Sequence, residues 1–108
     1  MPNIYKNAFY DPADTSAVSV YTVPSDSRAI VQNIQVTNEG TGKTVQVSVT
    51  DSSASTDYQI AYASITGATI CNLAKGPVIL EENDVLKIAS SNTTGISAII
   101  SILEINRD

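Results

Sequence analysis

Few side chains in this sequence could carry out chemistry, and their types exclude the commonest catalytic sites. The chain has 108 residues and no histidine. Neither a Ser-His-Asp nor a Cys-His site can therefore be built, and the commonest zinc ligand is absent. The one cysteine, Cys71, lies in the apolar stretch TICNL. It is predicted to be a small buried hydrophobe that forms no intrachain disulfide, which fits assembly in a reducing compartment.

Carboxylates are the remaining candidates for catalysis. A pair of them could in principle cleave glycosides, but four of the candidates lie in predicted turns: Asp51, Asp57, Glu81 and Asp84. The sequence also has no tryptophan to act as a sugar platform, and it has no Gly-rich phosphate loop. We therefore predict that the protein is not an enzyme and has no catalytic residue, no metal site and no cofactor.

The acidic segment Glu81-Glu82-Asn83-Asp84 separates two short apolar runs. It lacks the alternating oxygen ligands of a calcium loop, although a weak cation site is an alternative. Asn and Asp tolerate turn conformations, and Asn83 can adopt a positive φ. We predict that the segment is an exposed hairpin tip, dispensable for folding.

Alternation of apolar and polar residues with period two dominates from residue 18 onward, and no segment has the apolar spacing of a helix. NEGTGK (38–43) and DSSAST (51–56) are predicted turns, the first of them a hairpin signal. About eight short strands predict an all-β chain, a single antiparallel β-sandwich of jelly-roll or Ig-like type over residues 18–108. The predicted core comprises Ile34, Val36, Val45, Val47, Val49, Ile60, Leu86, Ile88, Ile100 and Ile102.

Residues 1–17 differ from the rest of the chain. The segment MPNIYKNAFYDPADTSA contains two prolines and shows no clear alternation, so it is poor material for the domain's own sheets. We predict an extended N-terminal arm that contacts a partner protein through its aromatic side chains. The alternative is an arm that folds back over its own sandwich. The predicted partner-binding residues are Tyr5, Phe9 and Tyr10.

Charge and hydropathy bear on the class of partner. The net charge is −5, and the six cations are scattered along the chain, so direct nucleic-acid binding is not expected. No apolar run approaches the length of about 20 residues that spans a bilayer, and no secretory leader is visible. We expect protein partners rather than a membrane.

Three stretches carry a resemblance to a known group: YTVPSDSRAIVQNIQVTN, VSVTDSSASTDYQIAYASI, and NLAKGPVILEENDVLKIAS followed by ISILEI. They contain a Tyr-x-Val-Pro opening, a Val-Gln-x-Ile-x-Val-x-Asn strand and a Leu-x-x-Gly-Pro hairpin pattern. Over about residues 20–105 the chain resembles small virion structural proteins of tailed bacteriophages. Where such proteins commonly have Gly before the Asp of the hairpin, this chain has Asn83.

The resemblance implies a non-enzymatic virion component, assembled in the host bacterial cytoplasm. It favours a capsid decoration or cement protein that contacts the major capsid protein as a homo-oligomer. A neck or tail component, either an adaptor or an appendage, is the main alternative. A carbohydrate-binding host-attachment module is a third reading that rests on the fold alone.

Overall fold

Nine β-strands account for most of the computed structural model, which describes residues 3–11, 15–40, 42–67, 69–74, 76–91 and 95–106. Runs of Val, Ile, Thr and Tyr form these strands because branched and aromatic side chains suit a pleated surface. The strands are β1 (Asn3–Tyr10), β2 (Val18–Thr22), β3 (Ser27–Asn38), β4 (Lys43–Asp51), β5 (Thr56–Ile65), β6 (Thr69–Asn72), β7 (Val78–Leu80), β8 (Val85–Ser90) and β9 (Ile96–Asn106).

The strands form two antiparallel sheets that pack face to face. Sheet A has the order β1-β9-β3, and β6 and β7 share the far side of β3; sheet B has the order β2-β8-β4-β5. The strand β6 pairs with residues 35–38 of β3 and β7 pairs with residues 29–31, so together they act as one interrupted strand. The resulting eight strand positions, four in each sheet in these orders, define a jelly roll. The predicted β-sandwich is confirmed.

The core lies between the two sheets and contains most of the predicted residues. Eight of the ten predicted side chains are no more than 1% exposed, and Val49 is partly buried against them. Ile60 is 42% exposed, so its assignment to the core is wrong. It lies on β5, an edge strand whose pairing with β4 shifts register between Val47 and Ser48. Such a bulge interrupts the alternation from which burial was predicted.

Residues 3–10 lie in sheet A rather than outside it. The strand β1 pairs along its full length with β9, from Asn3 opposite Ile105 to Tyr10 opposite Ala98. The expectation that this segment is poor material for the domain's own sheets is therefore wrong for these residues. The alternation was hidden because Lys6 takes a position opposite the buried Ile102. Residues 1, 2 and 12–14 of the predicted arm lie outside the described residues.

Two of the predicted turns connect the sheets instead of closing hairpins. The segment after β3 leads from sheet A to sheet B, and residues 81–84 do the same between β7 and β8. The predicted hairpin tip at 81–84 is therefore wrong, because turn chemistry does not determine which sheet the next strand joins. Asn83 does have a positive φ of 66°. The turn at 51–56 closes a true β4–β5 hairpin.

Candidate interaction surfaces

Three of the four candidate catalytic carboxylates, those of Asp51, Asp57 and Asp84, accept hydrogen bonds from nearby residues. Asp51, Glu81 and Asp84 line a depression of about 160 Å³ at one end of the sandwich, whereas Asp57 lies on β5 with a carboxylate oxygen 3.5 Å from Lys87 Nζ. The pKa of Asp51 is lowered by hydrogen bonds from Ser53, and that of Asp57 chiefly by the Thr50 hydroxyl. The described residues contain no group of three or more acidic, Cys or His side chains placed to hold a metal ion.

Asp84 joins three parts of the chain at this end. Its Oδ2 accepts a hydrogen bond from Glu81 N at 2.9 Å, and its Oδ1 accepts from Ser52 N at 3.0 Å and Ser52 Oγ at 3.2 Å. Its carbonyl also accepts from Val23 N at 3.0 Å. The side chain is buried, so the segment predicted to be dispensable includes one structural carboxylate.

We expect Asp84→Ala to lower the free energy of unfolding by about 2–3 kcal/mol, since it leaves donors to a charged acceptor unpaired. Thermal unfolding should therefore move down by roughly 10–20 °C. The control is Glu81→Gln, which changes one exposed charge worth about 0–1 kcal/mol. Equal melting temperatures for the two variants would contradict the role given to Asp84.

A second polar contact crosses the core where β1, β2 and β9 meet. Glu104 is 3% exposed, and its Oε2 accepts a hydrogen bond from Tyr21 Oη at 2.6 Å. The same oxygen is 3.2 Å from Lys6 Nζ. Tyr21 belongs to sheet B and the other two residues to sheet A, so the contact links the sheets. The contact could not be predicted from the sequence, because Glu104 continues a strand face whose preceding positions, Ile100 and Ile102, are apolar.

Burial of the Tyr21 phenol, together with its hydrogen bond and charge repulsion from Glu104, raises the pKa of Tyr21 well above 10.0. A raised pKa means that the folded state favours the neutral phenol. The contribution to stability is complete below about pH 10 and is lost as the pH rises further. We expect an alkaline absorbance titration to show a late tyrosine phase that is missing in Tyr21→Phe. A titration that is unchanged in this variant would contradict the contact.

The outer face of sheet A is the most apolar surface among the described residues. Four of its side chains are 64–76% exposed and four more are half-buried. They lie at register positions that face away from the core. Residues that are register partners on neighbouring strands form rows across the sheet. One such row crosses all four strand positions, from Tyr5 through Leu103 and Ile30 to Ile79. The eight residues are Tyr5, Phe9, Ile30, Ile70, Ile79, Ile99, Leu103 and Ile105.

The outer face of sheet B is polar by contrast. Its rows contain mainly hydroxyl and amide side chains, and they include the Asp57–Lys87 pair. One row runs from Ser19 through Lys87 and Ser48 to Gln59. Water solvates such a face readily, whereas an apolar sheet face favours contact with another protein. The two faces of the sandwich therefore differ in what they can bind.

The structure separates the three predicted partner-binding residues. Tyr5 is 76% exposed and Phe9 is 69% exposed, both on the outer face of sheet A. Tyr10 is 2% exposed and belongs to the core, so its assignment to a partner contact is wrong. The adjacent residues Phe9 and Tyr10 lie on opposite faces of the sheet because successive side chains of a β-strand alternate in direction.

A smaller apolar surface, the β5 cleft, lies on the side of the sandwich where β5 and β6 are the edge strands. It is a cavity of about 280 Å³ lined by Ile60, Ala61, Tyr62, Ala63, Cys71 and Leu73. Tyr62 is 64% exposed and the Cys71 thiol is free. The edge strand β5 has ten residues and contains neither Lys, Arg nor Pro. Its protection against pairing is limited to Asp57 and the β-bulge in its pairing with β4.

Comparisons with solved structures place the fold among proteins of viral particles. A chain from the acidic stable capsid structure of Helicobacter pylori bacteriophage KHP30 has a TM-score of 0.60 at 15% identity, over 98% of this chain and 89% of that chain. A chain from the T13 IBDV viral particle has a TM-score of 0.59 at 9% identity, over 96% of this chain and 31% of that one. This chain thus spans less than a third of the IBDV protein.

The same fold occurs outside viruses. A chain from Bacillus endospore appendages, a family of disulfide-linked pili, has a TM-score of 0.57 at 11% identity, over 98% of this chain and 89% of that chain. No protein-family model matches the sequence, and no curated protein matches it. No helix in the described ranges is long and apolar enough to cross a membrane. The comparisons establish a fold shared with proteins of viral particles and of pili.

Proposed function

We propose that the protein is a non-enzymatic structural component of a bacteriophage virion, a decoration protein that stabilises the capsid through protein–protein contacts. The observation that carries the proposal is the pair of separate apolar surfaces on one small jelly roll, the outer face of sheet A and the β5 cleft. A protein that cements a particle must contact more than one neighbour. The shared fold over nearly the whole of a phage capsid-structure chain supports the same role.

The two surfaces suit different contacts. The outer face of sheet A extends across all four strand positions of the sheet, and it includes the predicted contact residues Tyr5 and Phe9. The β5 cleft is smaller and lies beside the edge strand β5. It fits an extended apolar segment of a capsid protein, because such a segment can pair with β5 and place a side chain in the cleft.

A neck or tail component would use the same kinds of surface, so copy number is the measurement that separates the two roles. Gel densitometry of purified particles against the major capsid protein should give hundreds of copies per particle for a decoration protein. A ring of about six or twelve copies would assign the chain to the neck or tail. Absence from purified particles would overturn both assignments.

The β5 cleft provides a direct test of attachment. Ile60→Ser removes an apolar side chain from the cleft, and we expect this variant to reach the particle at least tenfold less than the unmodified chain. The control is Thr22→Ala, a change on the polar outer face of sheet B, which should attach normally. Equal attachment of both variants would show that the cleft is not the capsid contact.

The similarity to a pilus chain raises the possibility of a filament subunit. Filaments joined by disulfides need each subunit to bond with two neighbours, and therefore need at least two cysteines in each subunit. The sequence contains one cysteine, which is half-buried against the core. The covalent linkage of that pilus family cannot be built from this cysteine alone, and the virion role remains the better supported.

A further inference from the structure

The outer face of sheet A has too much exposed apolar area for a face that remains in water. Eight large apolar residues lie on it, four of them more than 60% exposed. We propose that a second copy of this chain covers this face, with the two copies related by a twofold axis that runs across the strands. The proposal rests on the structural role proposed above and names one partner for it.

The rows of the face are arranged so that its β1 and β9 half complements itself. The row of Asn7 and Ser101 lies midway between the row of Tyr5 and Leu103 and the row of Phe9 and Ile99. The proposed twofold axis runs across the strands, directly above this middle row. It places each strand of one copy over the same strand of the second copy, in the reverse direction. Tyr5 of one copy then lies over Phe9 of the second copy, and Leu103 lies over Ile99. In the other half of the face, Ile30 lies over Gln35 and Ile79 over Asn72. Each contact occurs twice, as an isologous interface requires.

Shape and charge agree with this arrangement. Phe9 lies beside a depression of about 460 Å³ that Asp11 and Glu39 also line, and Tyr5 of the second copy would lie over it. Arg28 is at the opposite end of the face, next to Ile105 in the register. The rotation brings Arg28 of one copy toward Glu39 of the other. Between these two ends, no described residue at an outward position is charged.

The size of the face is sufficient for a stable pair. Four strand positions at about 4.8 Å and nine residues of β9 at about 3.3 Å give roughly 550 Å² in projection for each copy. The two copies together would bury about 1,100 Å² of projected area, to which protruding side chains add further surface. A specific interface is expected to bury about 1,000 Å² or more. The face also carries the aromatic residues Tyr5 and Phe9, on its edge strand β1, and aromatic side chains are the type that dominates interface energies.

The test is the oligomeric state of the full chain, measured by light scattering after size exclusion and by sedimentation at several concentrations. We expect a dimer for the unmodified chain. Phe9→Ser should weaken the dimer at least tenfold, and Tyr58→Ser should leave it unchanged, since Tyr58 is an exposed ring on the other sheet. Circular dichroism should show that both variants remain folded.

A charge exchange tests the relative orientation of the copies. Arg28→Glu and Glu39→Arg should each weaken the dimer, and the two changes combined should restore it, because the contacting charges are then exchanged. A monomer at 100 µM, a trimer or larger ring, equal effects of Phe9→Ser and Tyr58→Ser, or a double variant weaker than both single variants would each overturn the inference.

Attachment to particles separates this inference from the proposed function. A chain that is monomeric at every concentration but attaches to particles would overturn the twofold pair and leave the decoration role standing. A dimer with the expected variant behaviour that is absent from particles would retain the pair and overturn the decoration role.

Discussion

Deletion of residues 1–10 is expected to lower the free energy of unfolding by at least about 4 kcal/mol. The deletion removes the buried side chains of Ala8 and Tyr10, and loss of one buried aromatic side chain alone costs about 3–5 kcal/mol. It also leaves β9 without a hydrogen-bonded neighbour on one side. Because small domains are stable by about 5–15 kcal/mol, the truncated chain should be partly or wholly unfolded at 37 °C in denaturant titrations and thermal scans.

The control for this deletion keeps the strand and changes only its outward side chains. The double variant Tyr5→Ser, Phe9→Ser should alter the stability of the monomer by less than about 1 kcal/mol, as exposed substitutions usually do. The two variants therefore separate the folding role of β1 from its contact role. A truncated chain that melts within a few degrees of the full chain would show that β1 is not part of the sandwich.

The second large effect is expected at the centre of the core. Ile100 is fully buried on β9, and Ile100→Ala should cost about 2–5 kcal/mol through lost apolar burial and the cavity left behind. The matched change Ile60→Ala acts on a residue that is 42% exposed and should cost less than about 1 kcal/mol. Chemical denaturation of the two variants measures both values. Equal losses would contradict the burial difference between the two isoleucines.

Strict alternation allowed the central strands to be predicted from the sequence. In β4, Val45 and Val47 alternate with polar residues, and both valines are fully buried. In β9, Ile100 and Ile102 occupy the inward positions of a strand that lies between two others. Such patterns are reliable where one whole face of a strand meets the core.

Edge strands and sheet connections were harder to predict, for physical reasons. In β1 an inward position holds Lys6, which pairs with the distant Glu104, and no local pattern reveals a partner almost a hundred residues away. In β5 a bulge moves Ile60 out of register with the core. The turn chemistry of residues 81–84 was identified, including the positive φ of Asn83. The passage between sheets is a property of the whole topology.

The candidate surfaces were partly predicted as well. The aromatic content of the N-terminal segment pointed to Tyr5 and Phe9, and both are exposed. The remainder of the outer face of sheet A comes from β3, β6, β7 and β9. Each of these strands contributes only one to three of its apolar residues. Only the register of the sheet brings them together in one surface.

The pairing of β1 with β9 has a consequence for synthesis on the ribosome. The strand β1 is translated before its hydrogen-bonding partner β9, which begins only at Ile96. At about 5–20 residues per second, β1 waits roughly 4–17 s for that partner to be translated. During this interval Tyr5, Phe9 and Tyr10 have no sheet to join, so nascent chains on neighbouring ribosomes can meet through them. The topology therefore favours chaperone binding to the emerging chain and a slow final folding step.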